Sequence, residues 1–478
     1  MSLSSALNNA ASGLAASARA VQVASANVAN AMTDGYAPRR IDLSAVSLSG
    51  GGGGVRVSGV TRQVDPILLG HVRDAGATEQ ASSRTADFWQ RIESALGLPD
   101  AGLGAALSDF DAALIAASER PDLDSSLSTV VARAKDLVQN FGAVEDTVQS
   151  LRSDADAAIA RDVATLNDGL RRIDDMNAKI VQLRAAGRET LALEDERQAL
   201  ISTLSEIVPM REYGRSDGRV TLFSAGGAVL LDLDPQEVGF TQSPIVDASM
   251  QIGNGLSGLT LGGRTIDPGP DGPLGGGRLG ANFALRDVIA PEVQVRIDTL
   301  AADLVARFQD PQTDPTLASG SAGLFTDAGA ALSATPAAGL AGRLALNAAV
   351  DPSSGGALWR LRDGLGATTP GPVGDATQIA NLLSALDRRV PSAPGTPALS
   401  LSATLAELGS TISTRRQDAE ADATLAAARL DTLTEETLAQ GVDTDAEMQR
   451  LLQIEQAYAA NARVIETADA MLRRLLEI

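Results

Sequence analysis

The chain has 478 residues, room for about three domains of ~150 residues each, and 44% of them are hydrophobic although only 3% are aromatic. Its 39 basic and 60 acidic side chains leave a formal charge of −21, which repels nucleic-acid phosphates and anionic lipid and argues against both as partners. It has no cysteine, hence no disulfide, thiolate nucleophile or zinc–thiolate site, and no run of about 18 apolar residues that would insert in a membrane.

Residues 2–30 read as one helix. Residues 1–33 carry a single charge, Arg19, and Leu3, Leu7, Ala10, Leu14, Ser17, Val21, Ala24 and Val28 follow one another at alternating steps of four and three. Such spacing makes a narrow apolar seam that needs a partner helix. Thr33-Asp34-Gly35-Tyr36-Ala37-Pro38 stops it, since Gly35 tolerates positive φ and Pro38 cannot continue a helix. Residues 41–65 alternate weakly around Gly50–Gly54 and predict an extended segment with a flexible break.

From about Asp74 to Pro209 the pattern is helical, with interruptions at Gly97–Gly104 and near Pro121. The longest predicted helix spans roughly 125–186, carries Ile159, Val163, Leu166, Leu170, Ile173 and Ile180 as its core stripe, and ends at Gly187; a second follows at 190–207. Between 211 and 278 short β-prone runs appear (Arg219–Phe223, Ala228–Leu233, Met250–Ile252, Leu259–Leu261), closed by a Pro/Gly-rich exit at Pro268–Gly280. Helix resumes at 283–308. Residues 309–398 read as irregular apart from a helix at 376–387, and two long helices, 400–438 and 445–477, finish the chain.

The last 28 residues repeat the four-and-three spacing with Leu451, Ile454, Tyr458, Asn461, Ile465, Ala468, Leu472 and Leu475. The expected fold is mainly α with a β-rich insert, nested as an elongated rod. Residues 1–45 with 441–478 form a terminal helical assembly domain at one end, and 46–73 an extended linker. Residues 74–210 with 279–440 form a helical bundle in the middle, and 211–278 a small β domain at the other end. Small residues on the first seam make a weak two-helix pair, so the ends are expected to be mobile in the free chain and to order on self-assembly.

At 26–36, Ala26-Asn27-Val28-Ala29-Asn30-Ala31-Met32-Thr33-Asp34-Gly35-Tyr36 resembles a signature of bacterial flagellar rod, hook and hook-associated proteins, and Gln456–Ile465 with Ala468–Leu472 resembles the matching tail. Arg62-Gln63-Val64-Asp65, Asp195-Glu196-Arg197, Gly280–Asp287 and Asp375–Leu383 resemble the hook-associated branch. Met32, Asp34, Ala37 and Pro38 depart from the usual turn. The resemblance implies a structural role between hook and filament. It implies partners in copies of itself, the hook protein, a second junction protein, an export chaperone and the type III export apparatus, and an extracellular place reached without a cleaved signal. A hook or rod protein, or a secreted hydrolase with an axial anchor, are the alternatives.

Asn27 and Asn30 are either plain surface or capping amides or the side chains that fix helix register in an assembled tube. Tyr36 either covers the helix end or docks on a neighbour. No catalytic, cofactor or metal site is expected. Gly275-x-Gly277-x-x-Gly280 follows prolines rather than the strand that a dinucleotide site needs. His71 is the only histidine, which rules out a two-histidine metal site. Asp122/Asp124 and Glu194/Asp195/Glu196 read as solvated acids, and Trp89 and Trp359 as core anchors.

Overall fold

A computed structural model describes residues 3–476 apart from 34, 49–50, 98–100, 334, 336 and 392–396; the side chains of 47, 48, 51, 52, 475 and 476 also lie outside the description. The chain begins with α1 (Leu3–Ala29), a hairpin of β1 (Arg39–Leu48) and β2 (Gly51–Arg62), and α2 (Pro66–Leu96). Asp65 starts α2 by accepting hydrogen bonds from the Ile67 and Leu68 amides ahead of Pro66, and Gly97 ends it at φ +61°. Then come α3 (Gly102–Glu119), α4 (Asp124–Ala185) and α5 (Leu191–Ile207).

Helix α4 runs 62 residues, about 93 Å at 1.5 Å per residue. Its predicted stripe, Ile159 to Ile180, is buried throughout. Gly187 at φ +65° turns the chain so that the Arg188 amide reaches back to the Leu183 carbonyl 2.8 Å away.

Two cores share α4. The first gathers α2, α3, the first half of α4, α7 (Ala290–Gln309), α8 (Leu340–Arg343), α9 (Trp359–Asp363), α10 (Thr377–Asp387) and the start of α11 (Leu401–Ala439). Phe110, Phe308 and Phe325 meet at its centre with ring centroids 5.1–6.0 Å apart. The second core joins Ile159–Ile173 of α4 to α5, to α6 (Gly277–Ala284) and to strands β3 (Met210–Gly214), β4 (Val220–Ser224) and β5 (Val229–Leu231). These strands form one three-stranded antiparallel sheet; Val238–Gly239, Leu259–Leu261 and Arg264–Ile266 form another.

Buried and half-buried polar side chains fasten this β-rich segment to α4. Asn177 takes both backbone groups of Val220 (3.0 and 3.1 Å), and Asn167 does the same for Val238 (2.8 and 2.9 Å). Each amide imitates a neighbouring strand. Arg152 donates to the Asp247 and Met250 carbonyls, both at 2.7 Å. Asp156 pairs at 2.6 Å with Arg286, both fully buried, and Arg286 lies against the faces of Phe240 and Phe283.

Several expectations change. The β-rich segment is not at the far end: it covers α4 from Arg152 to Arg184, between the bundle on the first half of α4 and the terminal hairpin, which is held by α5 alongside the last turns of α4. Hydrophobic periodicity marked its strands but carried no information on which half of α4 they cover. The extended linker at 46–73 is instead hairpin strand followed by the opening turns of α2. Gly51–Gly54 belong to β2 rather than to a break, while Gly50 lies outside the described residues. The helix predicted from 283 starts at Gly277 and continues through a π-helical turn at Leu285–Ile289. Trp89 is a core residue, but Trp359 is half-buried under the Arg360 guanidinium rather than anchored in the core. The chain closes with α12 (Thr444–Leu476), which Asp443 caps by accepting from the Asp445 and Ala446 amides.

Candidate assembly interface

At the end of α1 the turn folds back on itself around Asn27, which has 0% exposure. Its oxygen accepts from the Tyr36 hydroxyl (2.8 Å) and the Arg39 amide (2.9 Å). Its nitrogen donates to the Arg39 carbonyl (2.9 Å) and to Glu447 Oε1 (2.8 Å). One side chain thus joins α1, the turn, β1 and α12 with every hydrogen-bonding group in use. Burial pushes the Tyr36 hydroxyl above its ordinary value, against the pull of Arg39, so it stays a donor at neutral pH. Asn30 donates to the Ala26 carbonyl of its own helix. Gly35 holds φ +77° beside Ala199, where a Cβ would come within 3.1 Å of the alanine methyl; Asp34 lies outside the described residues.

The hairpin is tied to the body through α5. Asp195 receives Arg39 of β1 at 3.1 Å and Arg62 of β2 at 2.7 Å. Arg197, two residues on, turns the other way to Asn177 (2.8 Å) and the Gly218 carbonyl (2.9 Å). Glu194 is buried between Thr190 and Arg184, whose hydrogen bonds outweigh burial and hold its carboxyl below the ordinary range. The reading of 194–196 as solvated acids is therefore wrong for Glu194 and Asp195 and holds only for exposed Glu196. Arg19, the lone charge of α1, pairs with Glu189.

Helices α1 and α12 lie antiparallel, with Gly13 under Asn461 and Asn27 beside Glu447. Of the predicted seam, Ala10, Ala24 and Ala468 are buried. Leu3, Leu7, Leu14, Ser17, Val28, Leu451, Ile454, Asn461 and Ile465 are half-buried. Val21, Tyr458 and Leu472 stay exposed at 37%, 48% and 38%, and the side chain of Leu475 lies outside the description. The face that α1 turns to α12 runs through Gly13 and Asn27, one position round from the predicted line. The hairpin covers another face of α1: Ser12 Oγ accepts from the Val55 amide at 3.2 Å, and Gly54, at φ +90°, leaves room for it.

Sequence reasoning missed Gly13, Gly54, Asp195 and Glu447. A glycine inside a helix and a glycine run beside it were the available signals, since both mark close backbone approach. Among the described residues no cluster of ligating side chains could hold a metal ion, and no helix is long and apolar enough to cross a membrane. His71 is exposed. Gly275–Gly280 lead from turns into α6, with no strand immediately before them.

Three family models match the chain: the helical domain of flagellar hook-associated protein FlgK at 89–325, the C-terminal region of flagellar basal body rod FlgEFG proteins at 439–478, and the flagella basal body rod protein at 7–36. Flagellar hook-associated protein 1 of Salmonella typhimurium is 29% identical over 238 residues, which is 48% of this chain and 43% of that protein. The protein of the same name from Bacillus subtilis is 25% identical over 506 residues, covering 98% of this chain and 97% of that one. The chain thus spans less than half of the Salmonella relative and nearly all of the Bacillus one. The solved flagellar hook junction protein FlgK of Burkholderia pseudomallei shares 19% identity at a TM-score of 0.45, over 54% of this chain and 46% of that chain.

Proposed function

We propose, from the premise that this chain belongs to the family of flagellar hook-associated protein 1, that it is a structural subunit of the junction between hook and filament. It would assemble through its terminal helices. The observation that carries the reading is the imbalance of the α1–α12 pair: among the described side chains of α12 only Ala468 is buried, while Met448, Leu452, Tyr458, Val464 and Met471 are 42–58% exposed on a helix whose partner is already in place. Apolar surface left open beside a finished helix pair calls for further helices of the same kind.

Copies of the chain supply those helices along the tube, and the hook protein and a second junction protein meet its two ends. Before assembly an export chaperone covers α12 and the type III apparatus carries the chain out, which places the mature subunit outside the cell. The body acts as a spacer rather than a catalyst. Boundaries at 1–45 with 441–478, at 74–210 with 279–440, and at 211–278 accompany this reading.

Deletion of the gene tests it. Bare hooks by negative-stain electron microscopy, with flagellin shed into the medium, are the expected outcome. Missing hooks would move the protein to the rod or hook, and normal filaments would remove the flagellar role.

A further inference from the structure

The apolar contacts between α1 and α12 do not by themselves fix how far one helix reaches along the other. One hydrogen bond and one close steric fit do. Asn27 bonds Glu447 at 2.8 Å, and Gly13 lies so close under Asn461 that a Cβ there would meet its amide at 2.6 Å. The residue numbers of both pairs add to the same total, as an antiparallel register requires. The pairs stand two heptads apart on each helix, about 21 Å at 1.5 Å per residue. Carried along the same heptads, the register puts Ala20 opposite Ile454 and Ala6 opposite Ala468, the one buried residue among the described side chains of α12. Polar and apolar layers therefore alternate.

We propose that the Asn27–Glu447 and Gly13–Asn461 pairs are a two-point register lock, and that this lock rather than the apolar seam sets the reach of α12. A slip of one heptad brings Asn461 over Ala6 or Ala20, where a methyl fills the space that Gly13 leaves empty; Gly13 is the single glycine of α1. The same slip withdraws Glu447 from an amide with 0% exposure, whose orientation is already fixed by Tyr36 and Arg39. The donor thus points at α12 whether or not the acid is there, and only one register satisfies it. The alanine-rich layers resist slipping far less. What the lock is for rests on the assembly reading: it presents Leu452, Met471 and Leu472 to a second copy at one fixed height. The lock itself is a property of the single chain, so its test and the gene deletion fail independently.

The chain lacks cysteine, so introduced pairs report cleanly. In the purified full chain, Ala20→Cys with Ile454→Cys, treated with a short bismaleimide, should close within one molecule. Adding Asn27→Leu and Asn461→Ala should slow that closure at least ten-fold. Ala6→Cys with Asn461→Cys reports the slipped register and should close only when Asn27→Leu is present. Glu447→Gln, which keeps the accepting oxygen, should leave the native pair closing at its original rate. Unchanged closure of the native pair in the Asn27→Leu, Asn461→Ala chain would overturn the lock. Loss of both the native and slipped cross-links would also overturn it, because the contacts would then be a simple anchor for α12.

Discussion

The β-rich segment packs on α4 and α12 packs on α1, and the two are held by opposite means. The β-rich segment is bound to α4 by buried Asn177, Arg152 and the Asp156–Arg286 pair, with half-buried Asn167 beside them, which reach its backbone or lock its loops. Helix α12 is held to α1 by small residues and one buried amide, with most of its apolar side chains facing outward. Leaving a buried polar group unpaired is expensive, so the first kind of contact has one solution and is complete within the chain. The second kind is unsaturated, and more partners improve it.

The contrast breaks most severely at Arg286. Replacing it by alanine strands Asp156 without a counter-ion at full burial, and a loss of about 3–5 kcal/mol is expected in urea unfolding. Asn177→Leu should cost about 1–3 kcal/mol by orphaning the Val220 backbone and one Arg197 donor. Hydrogen exchange should locate that damage in β4 and leave the α1–α12 pair untouched.

Asp195→Ala sharpens the comparison at the joint between the two regions. Arg39 and Arg62 lose a shared, nearly buried partner worth about 1.5–3 kcal/mol at most. Exchange should rise in β1 and β2 while both cores keep their protection. The smallest change in stability belongs to the outer face of α12. Leu452→Glu or Met471→Glu should shift unfolding by no more than about 0.5 kcal/mol, since more than half of each side chain is open to water. The same variants should fail to support filaments in complemented deletion cells. Preserved motility would mean that the open face of α12 is not an assembly surface.

What could be read in the sequence follows the physics of each element. Helix α4 was legible almost to the residue because its core stripe and Gly187 are local signals that burial and capping then satisfied. Helices α10, α11 and α12 were legible for the same reason. Asn27 stood out from its alanine-rich surroundings, but the four groups it joins lie 9 to 420 residues away along the chain, which no local pattern reports. Asp195 looked like one acid among three because its two arginines lie on the hairpin. The glycine run at 51–54 carries the composition of a loop and serves as a strand because α1 passes within contact of Gly54. The place of the β-rich segment depended on Asn167 and Asn177, polar residues on a helix face that ordinarily signals solvent.

One further consequence follows from α4. Its two halves belong to different cores, yet no loop, proline or glycine hinge divides them: Gly142 and Gly169 are both continued as helix, and Gly169 is packed under Leu204. Twisting one core against the other therefore strains an unbroken ladder of backbone hydrogen bonds rather than a joint. A torque applied at the terminal hairpin, which grips α5 beside the end of α4, is delivered to the distant bundle with little angular lag. In mechanical terms α4 is a stiff shaft shared by the two cores.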